Sequence, residues 1–142
     1  MRKYFEIYEY DEVGNFLHFR HYAKGGTWIR DYDYRELSLI KEDELSDKKN
    51  NRLTSTSIGI PIEKYGYDAH GNMIRMPHLN HDDPDKPDKP NMHWDFKDQL
   101  HIVDKSDSCK AYYVYDAAGQ RVRKVIEDNG IPLEERIYIS DK

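Results

Sequence analysis

Seven histidines and a surplus of carboxylates are the first residues in this chain that could do chemistry. His78, His81, Asp82 and Asp83 bring imidazole and carboxylate groups within six residues, and His93 follows a proline-rich stretch. Zinc sites hold their ligands at set spacings on regular elements. This cluster matches none of those spacings and reads as a solvated polar loop. Asp82 to Asp88 is acidic enough for weak calcium contact, but it lacks the glycine and closing glutamate of an EF-hand loop. Carboxylate pairs such as Asp31/Asp33 and Glu134/Glu135 could do acid–base work only in contrasting environments, and the flanking residues supply no contrast. The sequence has neither a Gly-x-Ser-x-Gly nucleophile turn nor a phosphate-binding glycine loop. Cys109 stands alone, which excludes an internal disulfide and a Cys-cluster zinc site. The expectation is a non-enzyme with no metal and no cofactor. Aromatic side chains leave one other option. Trp28, Tyr32 and Trp94 could stack on sugar rings or on a partner protein, although packing in an aromatic core is their plainer role.

The elements that would carry these residues read as strands. Lys3 to Tyr10 is rich in aromatic and β-branched residues, and Tyr4, Glu6, Tyr8 and Tyr10 share one face by the period of two. Similar runs are Asn15 to Ala23, Thr27 to Tyr34, Arg52 to Ile58, Ile62 to Tyr67 and Asn72 to Met76. Trp94 to Val103, Lys110 to Tyr115, Gln120 to Glu127 and Glu135 to Ile139 follow. Lys24-Gly25-Gly26, Lys49-Asn50-Asn51 and Asp128-Asn129-Gly130 punctuate them, the last with the Asn-Gly pair that favours a tight hairpin. Strands joined this closely predict an all-β, antiparallel fold. At most one short helix is compatible, over Arg35 to Lys48, where Leu37, Ile40 and Leu45 are suitably spaced. The prolines Pro84, Pro87 and Pro90 make residues 80–92 a flexible insertion in an otherwise single segment, 1–142.

One pattern occurs three times, as Tyr-x-Tyr-Asp-x-x-Gly-(Asn/Gln). Its copies are Tyr8, Tyr10, Asp11 and Gly14; Tyr65, Tyr67, Asp68 and Gly71; and Tyr113, Tyr115, Asp116 and Gly119. Tyrosines two apart on a strand project from one face. The aspartate suits the first position of a type I turn, where its carboxylate accepts bonds from turn amides. The glycine can take the left-handed conformation of the bulge that starts the return strand. Asp31 to Leu39 and Asp98 to His101 read as degenerate copies, the second as a return strand without a complete turn before it.

Composition sets the outer limits. The 142 residues carry 22 Lys+Arg against 27 Asp+Glu, a net charge of −5, with 35% charged residues and a mean hydropathy of −1.00. Leu, Ile, Val and Phe make up about a fifth of the chain, close to the limit below which charged chains stay disordered. The 12 tyrosines and 2 tryptophans supply the missing apolar area. An acidic chain without a basic stripe is a poor nucleic-acid binder. No run is long enough to span a membrane, and the start of the chain shows no signal peptide.

The repeated unit resembles the YD repeat of the Rhs family, which includes the shell-forming components of bacterial insecticidal Tc toxins and, more distantly, the teneurins. The run Asn51 to Thr56, the segment Trp94 to Leu100 and Glu135 to Ile139 add to the likeness. The resemblance implies a long antiparallel sheet that spirals into a cocoon around a toxic payload, in a secreted toxin complex. This chain would be a structural segment of such a wall, pairing with further repeats or with itself through its strand edges. A carbohydrate- or partner-binding aromatic face is the alternative that the resemblance permits.

Overall fold

The computed structural model describes residues 3–38, 48–79 and 89–139, and every regular element among them is a β-strand. They fall into two compact units, Met1–Lys64 and Tyr65–Lys142. In the first unit β1 (Tyr4–Tyr10), β2 (Phe16–Ala23), β3 (Gly26–Asp33), β4 (Ser55–Ser57) and β5 (Ile62–Lys64) form one antiparallel sheet in chain order. Short turns return β2 and β3 beside their predecessors, whereas β4 pairs with β3 although residues 34–54 separate them. Lys24 and Gly25 alone join Ala23 to Gly26. The proposed helix over Arg35 to Lys48 is absent where the chain is described: Leu37 bridges Lys49 in antiparallel fashion, and residues 39–47 lie outside the described residues.

One face of this sheet carries Tyr4, Glu6 and Tyr8 from β1, Phe19 and His21 from β2, and Trp28 and Arg30 from β3. Its rings form a connected layer. Tyr8 stacks on Phe19 at 4.8 Å, Phe19 meets Trp28 edge-on at 4.9 Å, and His21 stacks between Trp28 and Tyr4. Such pairs contribute about 0.5–1.5 kcal/mol each beyond their area burial. Further along, Arg30 pairs with Glu63 at 2.9 Å, and Thr56, only 2% exposed, donates to the same carboxylate at 2.6 Å. A satisfied polar network thus stands where a richer sequence would place leucines.

The second unit holds β6 (Gly66–Tyr67) and β7 (Met73–Arg75) as a hairpin. It also holds β8 (Met92–Trp94), β9 (Leu100–Asp104), β10 (Cys109–Tyr115), β11 (Arg121–Asp128) and β12 (Ile131–Ile137) as a five-stranded antiparallel sheet. Its core is one row across that sheet, Met92–Val103–Ala111–Ile126, each residue directly opposite the next. Asn129 and Gly130 form the tight hairpin that their residue types predict, with φ of 50° and 77°.

Several strand boundaries differ from expectation: Glu135 to Ile139 is observed as Ile131–Ile137 and Arg52 to Ile58 as Ser55–Ser57, and two runs divide. The run Ile62 to Tyr67 divides into β5 and β6, which belong to different sheets. The run Trp94 to Val103 is not one strand, because the chain turns a full corner between β8 and β9. Of the residues 80–92, the segment 80–88 lies outside the described residues, while Asn91 and Met92 are ordered parts of the second unit.

Candidate functional site

The feature that recurs is the corner, and it is built the same way each time. After β1, the Asp11 carboxylate accepts from the amides of Val13 (3.0 Å) and Asn15 (2.8 Å) and from the Asn15 side chain (2.8 Å). The Asp11 amide donates to the Asn15 carbonyl, and the Gly14 amide to the Asp11 carbonyl. Asp68 repeats this with His70 and Asn72, and Asp116 repeats the two amide bonds with Ala118 and Gln120. Gly14, Gly71 and Gly119 have φ of 91°, 96° and 81°, in the left-handed region reserved for glycine. Burial works to raise the pKa of Asp11 and Asp68. The bonds from Asn15 and Asn72 and from the turn amides outweigh it, so both carboxylates sit below the ordinary aspartate value. Each corner is followed by a one-residue slip in strand register at Leu17, Ile74 and Val122, three residues beyond the glycine where the motif anticipates its bulge.

A fourth corner escapes the sequence pattern. Asp95 accepts from the amides of Lys97 (2.8 Å) and Gln99 (3.0 Å), in the same geometry, between Trp94 and Leu100. Where the other corners have glycine, this one has Asp98 at φ 57°. An aspartate can enter that region because its short polar side chain finds local partners. Here Asp98 accepts from Asn72 and bonds His70, both at 2.8 Å, so one corner supports the next. The bonds from Asn72 and then His70 hold the Asp98 carboxyl below its ordinary pKa, and the hydrogen bond that His70 donates to Asp98 raises the pKa of His70. Gln99 of this corner lies beside Gly119 of the next, 3.2 Å from where a Cβ would stand. Corners Asp68, Asp95 and Asp116 therefore follow one another along the second unit.

The tyrosines of the motif act as supports. Tyr8 and Tyr10 both pack on Phe16, at 5.9 and 4.7 Å. The Tyr115 hydroxyl donates to the Leu100 carbonyl at 3.0 Å, and Tyr113 packs against the core row. Tyr65 leads into β6, and Tyr67 faces Met73 across the second corner. The three residues considered for ligand stacking are placed differently. Trp94 donates its indole N–H to the Met73 carbonyl at 2.8 Å, which ties β8 to β7. Trp28 is half-buried in the ring layer, and Tyr32 packs against Phe16 at 5.6 Å. At the end of the same layer a recess of about 480 Å³ opens among Lys3, Tyr4, His21, Ala23, Lys24 and Gly25.

Several titratable groups are paired with one another. Asp104, buried, meets His93 at 2.8 Å and Lys110 at 3.3 Å. Burial works to raise its pKa, and the hydrogen bond with His93 and the charge of Lys110 more than offset that. Glu6 bonds Tyr8 and His21, which lowers its pKa and raises that of Tyr8. Among the described residues no group of three or more His, Cys, Asp or Glu side chains is placed to hold a metal ion; His81, Asp82 and Asp83 lie outside the described residues. Nor is any helix among them long and apolar enough to cross a membrane.

Sequence reasoning missed Asn91, 4% exposed. It accepts from the Met76 amide and donates to the carbonyls of Met76 and Leu79, bracketing the turn after β7. A lone asparagine beside a proline-rich stretch carries no local signal of that role. Compared with known proteins, the sequence matches no family model and no curated protein.

Proposed function

We infer that the chain is a non-catalytic structural segment of an Rhs/YD-repeat shell, of the kind that encloses a toxic payload in a secreted complex. The observation that carries this reading is the corner itself, repeated at Asp11, Asp68, Asp95 and Asp116 with one hydrogen-bond pattern. Its polar groups are engaged in holding the chain's own backbone, which suits wall-building more than turnover. Lateral extension by further repeats fits the open sheets, whose outer strands have unpaired backbone groups among the described residues.

Stacked repeats stabilise their neighbours. Two copies joined head to tail should therefore unfold at a temperature several degrees above the single chain; identical melting of tandem and single chain would contradict the shell reading. The exposure of Tyr4, Tyr8 and Tyr10 favours a second reading, a face that binds glycan or a partner protein. Titration of tryptophan emission with oligosaccharides separates the two. A saturable change that Trp28→Ala abolishes in a folded protein would support binding; a flat titration supports the wall.

A further inference from the structure

Among the described residues the two long outer strands, β1 and β12, differ in how they are protected. Edge strands of soluble proteins are usually blunted with proline, charge or a bulge. β12 has all three: Pro132, the charged run Glu134-Glu135-Arg136, and a register slip opposite Ile126 and Glu127. β1 has no proline, and its register slip falls only at its last step, between Glu9 and Tyr10. Its two carboxylates are engaged within the sheet, Glu6 on Tyr8 and His21 and Glu9 on Arg20; it leaves Tyr4, Phe5 and Tyr10 66%, 61% and 52% exposed.

The hydrogen-bond parity of β1 follows from its neighbours. The two-residue turn makes Ala23 and Gly26 a hydrogen-bonded pair, so the odd residues of β2 bond to β3 and His18, Arg20 and Tyr22 bond to β1. Their partners Glu9, Ile7 and Phe5 are used inward, and the backbone groups of Tyr4, Glu6, Tyr8 and Tyr10 point outward. Only registers that pair even residues with even residues can add a strand in antiparallel fashion. Of these, one uses the whole strand: a two-fold axis through Ile7 sets Tyr4 opposite Tyr10, Phe5 opposite Glu9, Glu6 opposite Tyr8, and Ile7 opposite itself. One step either way sets Glu6 against Glu6, or leaves Tyr4 and Phe5 without partners.

We propose that β1 is a homodimer edge, pairing antiparallel with β1 of a second copy about Ile7. The charges agree with this occupant. The register continues to Lys3 opposite Asp11 of the other copy, and each Glu9 stays on its own Arg20 at 2.8 Å. A two-fold perpendicular to the sheet keeps like faces together, so the ring layer of one copy continues into that of the other. The second copy's Tyr10 then arrives beside Tyr4, at the recess described above. This edge belongs to the first unit alone, and the inference does not rest on the shell reading.

A residue on the two-fold meets only itself, which makes Ile7 a single-position test. Sedimentation velocity should show the unmodified chain as a dimer at rising concentration. Ile7→Lys and Ile7→Glu should each weaken it by roughly tenfold or more, because like charges then face each other across a close pair. An equimolar mixture of the two variants should recover a dimer, seen by native mass spectrometry as the mixed species. A monomeric unmodified chain, dimers that survive both reversals, or a mixture that stays monomeric would each overturn the proposal. If either variant fails to fold, Phe5→Lys carries the test. It sets lysine opposite Glu9 on an exposed position, so dimerisation should hold or tighten, and loss of the dimer would refute the register.

Discussion

Replacing Gly14 by alanine isolates the conformational demand of a corner. Gly14 has φ of 91°, and a Cβ built there meets nothing within 4 Å, so the substitution adds strain without a clash. Holding an L-residue in the left-handed region costs about 1–2 kcal/mol. Alanine also narrows the unfolded ensemble, which offsets about 0.4–1 kcal/mol of that. The net loss expected is roughly 0.5–1.5 kcal/mol. Gly14→Asn should lose less, since asparagine enters this region more readily. Gly25 is the control: its surroundings are equally open and its backbone is not left-handed, so Gly25→Ala should be neutral or slightly stabilising. Urea unfolding followed by the indole resonances of Trp28 and Trp94 reads the two units separately, and the loss should be confined to Trp28. Equal effects at Gly14 and Gly25, or no loss at Gly14, would refute the corner argument.

Three other outcomes are expected. Ala111, 1% exposed between Val103 and Ile126, has no room for growth, so Ala111→Leu should destabilise the second unit by about 1–3 kcal/mol in urea titrations. Asn91→Leu should cost the same unit about 3 kcal/mol or more, because it strands the Met76 amide and two carbonyls, and exchange of the Met76 amide should quicken. His70 and Asp98 give a pH signature. The raised pKa of His70 makes its contribution complete below about 6.5 and lost as pH rises through the folded value; the lowered pKa of Asp98 makes its own complete above about 3.9 and lost on acidification through the folded value. The pair therefore supports the corner most between those limits, and an NMR titration of His70 should return toward its ordinary value in Asp98→Asn.

Much of the site was legible because its chemistry is local. An aspartate that bonds amides two and four residues on, with glycine third, needs no information from elsewhere in the chain. The Asp95 corner was not legible for the opposite reason. Its left-handed residue is Asp98, and the side chains that stabilise it, His70 and Asn72, come from another hairpin. Trp94 offers the same lesson, since a candidate for ligand stacking turns its N–H to the Met73 carbonyl.

What the amino-acid order determined by itself was the hairpin grammar: period-two strands, corners at Asp11, Asp68 and Asp116, and the Asn129-Gly130 turn. Those depend on backbone dihedrals and neighbours within a few residues. Tertiary structure alone decided where the run from Trp94 to Val103 bends, that Thr56 and Glu63 form a polar core with Arg30, and that Met92, Val103, Ala111 and Ile126 share one row. Each of these depends on register between distant strands. A shift of one residue moves every side chain to the opposite face, and only the assembled sheet fixes that choice.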